Sequence, residues 1–280
     1  MDNLDLILWN KRMRAAPLGH GGGSYRIVNA ELTTYTTGLT TALSTSQLRN
    51  LDTFITSLKT GLSITNLSDA FDVMYVLAGE TSESSLRNLV KNAHHATAVN
   101  SPTFTKYEGF KGNGTTSYID TNYNPSTQGS RFKQNDASIG VYTRDSIKDK
   151  GAPTGLTSSS SQSVLVVAST TLYYGCNSSS PSKIIHDGRA GLYTIYRSAA
   201  AATFARVNKI ALASSATASV APISGNFWIC GRNKTDAAGT YNNNQIAFQF
   251  LGKSLSTTHA DIIVDAIEAY MDANGKGVIS

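Results

Sequence analysis

The chain is poor in cysteine, in charge and in long apolar runs. Of its 280 residues two are cysteines and 15% are charged. Cys176 sits in a Gly-Cys-Asn-Ser turn and Cys230 in the run FWIC, neither beside a CxxC or a Cys/His ligand partner. That excludes a disulfide-stapled fold and argues against a structural zinc, so two free thiols are expected and no metal. No apolar run approaches the length needed to cross a bilayer, so a membrane is not an expected partner. The N-terminus, MDNLDLILWNKRMRAAPLGHGGGS, sets two acids before a short apolar run and the basic residues after it. A secretory signal has the opposite order, so synthesis in the cytosol is expected. The formal net charge of +5 comes from scattered Lys and Arg, with the tightest cluster at Lys11, Arg12 and Arg14. Without a basic stripe or aromatic interleaving, nucleic acid is not an expected partner.

What is present is a 40% hydrophobic composition, enough for a large core, with polarity supplied mainly by Ser, Thr, Asn, Gly and Tyr. That balance favours β architecture. Two segments read as amphipathic helices instead. In LSTSQLRNLDTFITSLKTG, Ser44 and Gln47 form a capping box, Leu48, Leu51, Ile55 and Leu58 recur at helical spacing, and Gly61 supplies a stop. In LSTTHADIIVDAIEAYMDANG, Ala260, Ile263, Ile267 and Tyr270 repeat the pattern. Helices are therefore expected over 44–60 and 257–273, either covering the rest of the fold or packing between subunits. Between them lies FDVMYVLA, where period and propensity disagree; a helical turn or a short strand is expected, followed by a capped segment near Thr81 or Ser82. From about 98 to 252 short runs such as SYIDT, ASIGVYT, SVLVVAS, LYTIYR, NFWICG and IAFQFLG are separated by turn residues, the pattern of a sandwich or jelly roll. LTSSSSQS and NSSSPS read as mobile loops, and SAAAATFARVNK as a hairpin tip.

Candidate sites are few. A sugar site needs an aromatic platform with Asn, Asp or Thr hydrogen-bonding groups beside it. Asn113, Tyr123, Asn124, Tyr241, Asn242 and Asn243 meet that description, and the same residues serve equally as turn formers tolerant of positive φ. Trp228 is assigned to the core of an internal strand. His94 and His95 lack a nearby carboxylate in sequence and read as a surface turn. Ser182, His186 and Asp187 do not form a hydrolase triad, since Ser182 lacks a GxSxG elbow. KGNGTT is followed by a strand, not by a helix whose N-terminus holds phosphate, so no nucleotide or other cofactor is expected. Leu4, Leu8, Trp9, Lys11, Arg12 and Arg14, ahead of a glycine spacer, read as an anchor arm that docks on a partner.

With these motifs in hand, GFKGNGTTSYIDT resembles a motif of concanavalin A-like and laminin-G-like lectin folds through Phe110, Gly112, Gly114, Tyr118 and Ile119. NAHHATAVNSP and ASIGVYTRD fit the flanking strands, and FWICGRN with IAFQFLGKSLSTTHADIIVDAIEAY is similar to the closing pattern of strand, return strand and helix. The resemblance covers about 66–280 and implies a mostly β, jelly-roll sandwich of two antiparallel sheets, with an N-terminal arm over 1–24, a helical segment over 25–65 and peripheral amphipathic helices. More narrowly, the stretch 66–126 resembles accessory head or tail proteins of tailed bacteriophages. That implies a non-enzymatic virion component, a fibre or decoration protein assembled in the host cytoplasm. Its implied partners are other virion proteins, further copies of itself as a homotrimer, and glycans. A lectin-like receptor-binding protein for host or mucosal carbohydrate is the alternative, and a polysaccharide-degrading enzyme a second one. Against the enzyme, no strand carries the paired acids a glycosidase uses. Against a calcium site as in some lectin folds, Asp120 and Asp136 are isolated among Asn, Thr and Ser.

Overall fold

The computed structural model describes residues 25–147, 151–168, 170–237 and 239–279; the arm residues Leu4, Leu8, Trp9, Lys11, Arg12 and Arg14 lie outside them. The fold is mostly β, a concanavalin A-like sandwich of two antiparallel sheets with helices at its periphery. Eight strands build the first sheet: β1 (Phe71–Val76), β3 (Thr103–Thr105), β4 (Gly109–Lys111), β6 (Ala137–Thr143), β11 (Gly191–Ala199), β12 (Ala202–Val207), β13 (Ile210–Ser215) and β17 (Gln245–Gly252). Nine build the second: β2 (Thr97–Val99), β5 (Tyr118–Asp120), β7 (Gly151–Thr157), β8 (Gln162–Ala168), β9 (Thr171–Ser178), β10 (Ser182–Ile185), β14 (Trp228–Ile229), β15 (Gly231–Lys234) and β16 (Thr240–Tyr241). Their order is β13-β12-β11-β6-β17-β4-β3, with β1 also on β17, and β10-β9-β8-β7-β14-β5-β2, with β15 on β7 and β16 on β15.

One core lies between the sheets, where Ile139, Val141 and Ile195 of the first face Ile119, Leu165, Leu172 and Ile229 of the second. A second core lies on the other side of the first sheet, under two long helices, α2 (Thr45–Leu62) and α5 (Thr257–Ala273). Both helices thus cover the sheet of their own chain. β1 is buried along its whole length, with Val73 and Tyr75 in one core and Met74 and Val76 in the other. A strand wet on neither face has no polar alternation, which is why FDVMYVLA shows no clear period.

Local chemistry sets the helix ends. Ser44 accepts from the Gln47 amide of α2 at 3.2 Å, but the Gln47 side chain leaves the expected capping box and donates to Tyr270 Oη of α5 at 2.6 Å. Gly61 is not the stop: α2 runs on to Leu62, and Ser63 takes the left-handed cap at φ 53°. The glycine serves packing instead, since a Cβ there would stand 2.5 Å from Ile262 Cγ2 of α5. Ahead of α2 lies the short α1 (Ala30–Thr36), and Asp52 of α2 ties its lead-in down by accepting from Tyr25 Oη, the Val28 amide and the Asn29 amide. Burial pushes the Asp52 carboxyl up, yet those hydrogen bonds outweigh it and hold the group below its ordinary value. The capped segment after β1 is one turn, α3 (Ser82–Ser85), with Thr81 accepting from the Ser84 amide.

Three further segments take defined places between strands. LTSSSSQS is a tight β7–β8 hairpin closed by Ser158 N–H to Ser161 O at 2.9 Å. NSSSPS is the turn between β9 and β10. In SAAAATFARVNK only the residues between Ala199 and Ala202 form the tip, because Ser198 and Ala199 end β11, Ala202–Val207 is β12, and Asn208 and Lys209 make the next turn. Cys176 and Cys230 are free and fully buried.

Candidate functional site: an aromatic ladder on the second sheet

The turn at 112–117 carries the chain from β4 in the first sheet to β5 in the second. Asn113 organises it: its Oδ1 accepts from the amides of Thr115, Thr116 and Ser117 at 2.8 to 2.9 Å. In β5 the pleat then sends Ile119 into the core and leaves Tyr118 and Asp120 on the outer face. β14 pairs with β5 in the register Trp228 opposite Asp120 and Ile229 opposite Ile119, so Trp228 also points outward. Tyr118 stacks on Trp228 with ring centroids 3.7 Å apart and planes 22° apart. Tyr241 of β16 completes a three-ring cluster, 6.3 Å and 20° from Trp228 and 6.2 Å and 40° from Tyr118. All three rings are partly exposed.

A backbone reversal builds the end of this ladder. β14 runs antiparallel to β7, whereas β15 runs parallel to it, and the switch falls at Cys230, which has φ 59°. A left-handed non-glycine residue costs about 1–3 kcal/mol and persists where its surroundings dictate it. Here the Cys230 amide donates to Pro153 O and its carbonyl accepts from the Asn242 amide, each at 2.9 Å. The reversal brings Arg232 beside the rings, its Nε donating to Thr240 Oγ1 at 3.2 Å. Burial pushes the Arg232 guanidinium below its ordinary pKa. Gly239 borders the indole so closely that a Cβ would stand 2.5 Å from Trp228 Cζ3. Burial, with Asp120 and Tyr241 nearby, raises the Tyr118 phenol, which stays a neutral donor. Asp120 accepts from the Asn122 amide at 2.8 Å and retains acceptor capacity. A partly exposed ring cluster with a guanidinium and a carboxylate on the adjoining strands can hold the apolar face of a ring-shaped ligand and its peripheral hydroxyls.

The sequence candidates divide. Tyr241 belongs to the ladder, and exposed Asn243 lies against the Asn113 turn, its Cβ 3.6 Å from where a Cβ on Gly114 would sit. Tyr123 is corrected to a core residue: it has no exposed surface, and its hydroxyl donates to buried Asp72 at 2.8 Å. Asn242 is likewise fully buried, exchanging hydrogen bonds with Asn244. Asn124 caps the short helix α4 (Pro125–Gln128), accepting from the Ser126 amide. Trp228, assigned to the core, lies on the outer face of its internal strand. Tyr118 and Arg232 were not among the candidates; the alternation in SYIDT marks Tyr118 as outward, whereas FWIC is apolar throughout and hides Trp228.

The other chemistry-bearing residues are occupied locally. His95 Nδ1 accepts from the Asn88 amide, which leaves Nε2 to donate to Asn92 Oδ1, and His94 Nδ1 bonds Asn122 O. Burial lowers both imidazoles. Ser182 donates to Ser215 Oγ, and His186 Nδ1 accepts from the Gly188 amide, so the two do not meet. Asp136 accepts from the Ser254 amide. Among the described residues no three His, Cys, Asp or Glu side chains are grouped to hold a metal.

No family model matches the chain, and no curated protein matches it in sequence. Solved structures match by shape. The sialidase of Trypanosoma rangeli in complex with sialic acid superposes over 99% of this chain at a TM-score of 0.52 with 12% identity. The receptor-binding domain of botulinum neurotoxin C/D mosaic serotype superposes over 71% of it at 0.52 with 11% identity. The chain spans 40% of the sialidase and 52% of the toxin domain. What it shares with these proteins is the fold, a sandwich of antiparallel β-sheets.

Proposed function

We propose that the chain is a carbohydrate-binding, non-enzymatic module whose site is the ladder of Tyr118, Trp228 and Tyr241. The observation that carries this reading is the stack itself. Three aromatic rings held in a partly exposed cluster, with Arg232, Thr240 and Asp120 on the same and adjoining strands, match the amphipathic surface of a sugar. Likeness of fold to a sialidase and to a toxin receptor-binding domain supports the class of ligand. Binding rather than hydrolysis is favoured because most glycosidases, sialidases with their Tyr nucleophile excepted, act through two carboxyl groups about 5–10 Å apart. The nine strands of the second sheet carry one acid, Asp120. A glycan array followed by titration of the best hit tests the reading. Trp228→Ala and Tyr241→Ala should each weaken the hit roughly tenfold or more while circular dichroism stays native. An empty array, or variants that bind as the parent does, would sink it.

The finer setting is a tailed-phage virion component that displays this sandwich and is anchored through residues 1–24. It draws on the sequence resemblance over 66–126 and on the arm and spacer that precede the domain. Deleting residues 1–24 should leave a folded domain that no longer enters particles; unchanged incorporation would remove the arm's role.

A further inference from the structure

We propose a second, separate ligand site for a sugar acid of the uronic class, in the cleft where α5 begins over β11–β13. The cleft measures about 590 Å³, within the range of small-ligand pockets. One wall is half-buried Phe204, stacked on buried Tyr196 with centroids 5.1 Å apart, an apolar surface fit for a sugar ring face. Arg206 also lines it. Its side chain is only 5% exposed; Nη2 donates to Asp261 Oδ1 at 2.5 Å and to Lys209 O at 2.9 Å, while Nε has no partner. A buried guanidinium nitrogen left unbonded costs free energy, and a ligand oxygen would restore it once a small side-chain shift opens Nε to the cleft. Ser254 Oγ, on the same cleft, is also buried without a partner.

Charge in the cleft points to an anion. Lys253 lines it with no acid partner among the described residues, and α5, a helix of 17 residues, opens onto it at Thr257 with its positive dipole end. Asp261 engages one edge of Arg206 and leaves Nε over, and Asp136 is taken up by the Ser254 amide. A carboxylate on a ring satisfies both halves of the cleft: oxygens toward Arg206, Ser254 and the first turn of α5, ring face toward Tyr196 and Phe204.

Titration of the full chain with glucuronic acid, a polyuronate oligosaccharide and glucose, followed by heteronuclear NMR shifts at Ser254–Ala260, tests this. Glucuronic acid should shift these amides and glucose should not. Stronger binding of the oligosaccharide would identify a polymer residue as the source, and equal binding the free sugar acid. Arg206→Lys, which retains the charge facing Asp261, should weaken binding roughly tenfold, and Lys253→Ala, on a partly exposed side chain, severalfold. Trp228→Ala should leave it unchanged. Equal shifts from glucose, no shift with either acid, parental affinity in both cleft variants, or loss of binding in Trp228→Ala would each overturn the proposal.

Discussion

Both sheets carry aromatic rows on their outward faces, and the two rows have opposite fates. On the first sheet Phe248, Phe250 and Tyr142 lie beneath α2 and α5, where Phe248 meets Phe54 and Tyr270 at 5.5 and 5.4 Å. On the second, Tyr118 stacks on Trp228, Tyr241 packs beside both, and all three keep part of their surface in water. The residue types are alike, so the cover decides. Under helices the rings exchange water for close packing and contribute stability; in the open they keep an unspent apolar surface for something else to bury.

Exchanging the two behaviours is the sharpest way to break the comparison. Phe248→Ala should cost about 3–5 kcal/mol in urea unfolding, with the surviving folded protein binding glycan as before. Trp228→Ala should do the reverse, losing affinity roughly tenfold while costing about 2–3 kcal/mol of stability, less than Phe248→Ala. If both variants lose stability equally, the second row is structural and the contrast fails.

A smaller effect probes the cover itself. Glu268 of α5 accepts from Tyr142 Oη at 2.5 Å and from the Ile279 amide at 2.8 Å, and burial raises its carboxyl above the ordinary value despite those bonds. A carboxyl raised in the folded state favours folding while it is protonated, so its contribution is complete below the unfolded pKa of about 4.3 and is lost as pH rises through the folded value. Glu268→Gln, which cannot ionise, should escape that loss. Its stability relative to the parent should grow across this window by on the order of 1 kcal/mol, read from urea midpoints at several pH values. Smallest of all, Asn243→Ala on the exposed rim of the ladder should move stability by no more than about 0.5 kcal/mol, with a modest change in glycan affinity.

The covered sheet is far more legible in the sequence than the open one. The expected span 257–273 coincides with α5, and 44–60 falls two residues short of the end of α2, because an apolar face at 3.6 spacing survives whatever it packs against. The concanavalin A-like sandwich is legible from turn spacing and the GFKGNGTTSYIDT resemblance. The ladder is half legible. Tyr241 reads as a turn-region aromatic and stands in the ladder, but Tyr123, in similar company, is buried because Asp72, 51 residues earlier, waits for its hydroxyl. A partner that distant leaves no local signal. Trp228 is hidden for the opposite reason: Phe227, Ile229 and Cys230 around it are buried, and a uniformly apolar run does not announce which residue faces out.

The buried thiols give the second sheet a chemical clock. Burial pushes both Cys176 and Cys230 up to about 12, so at neutral pH neither presents thiolate to an alkylating reagent while the fold is closed. Labelling must therefore wait for the chain to open, and its rate reports how often that happens. Cys230 sits at the reversal that frames the ladder, whereas Cys176 is pinned in β9, its carbonyl accepting from the Nε of buried Arg197 at 2.6 Å. Two thiols in one sheet thus time two different openings, and a sugar seated on the ladder should slow the Cys230 reaction more than that of Cys176.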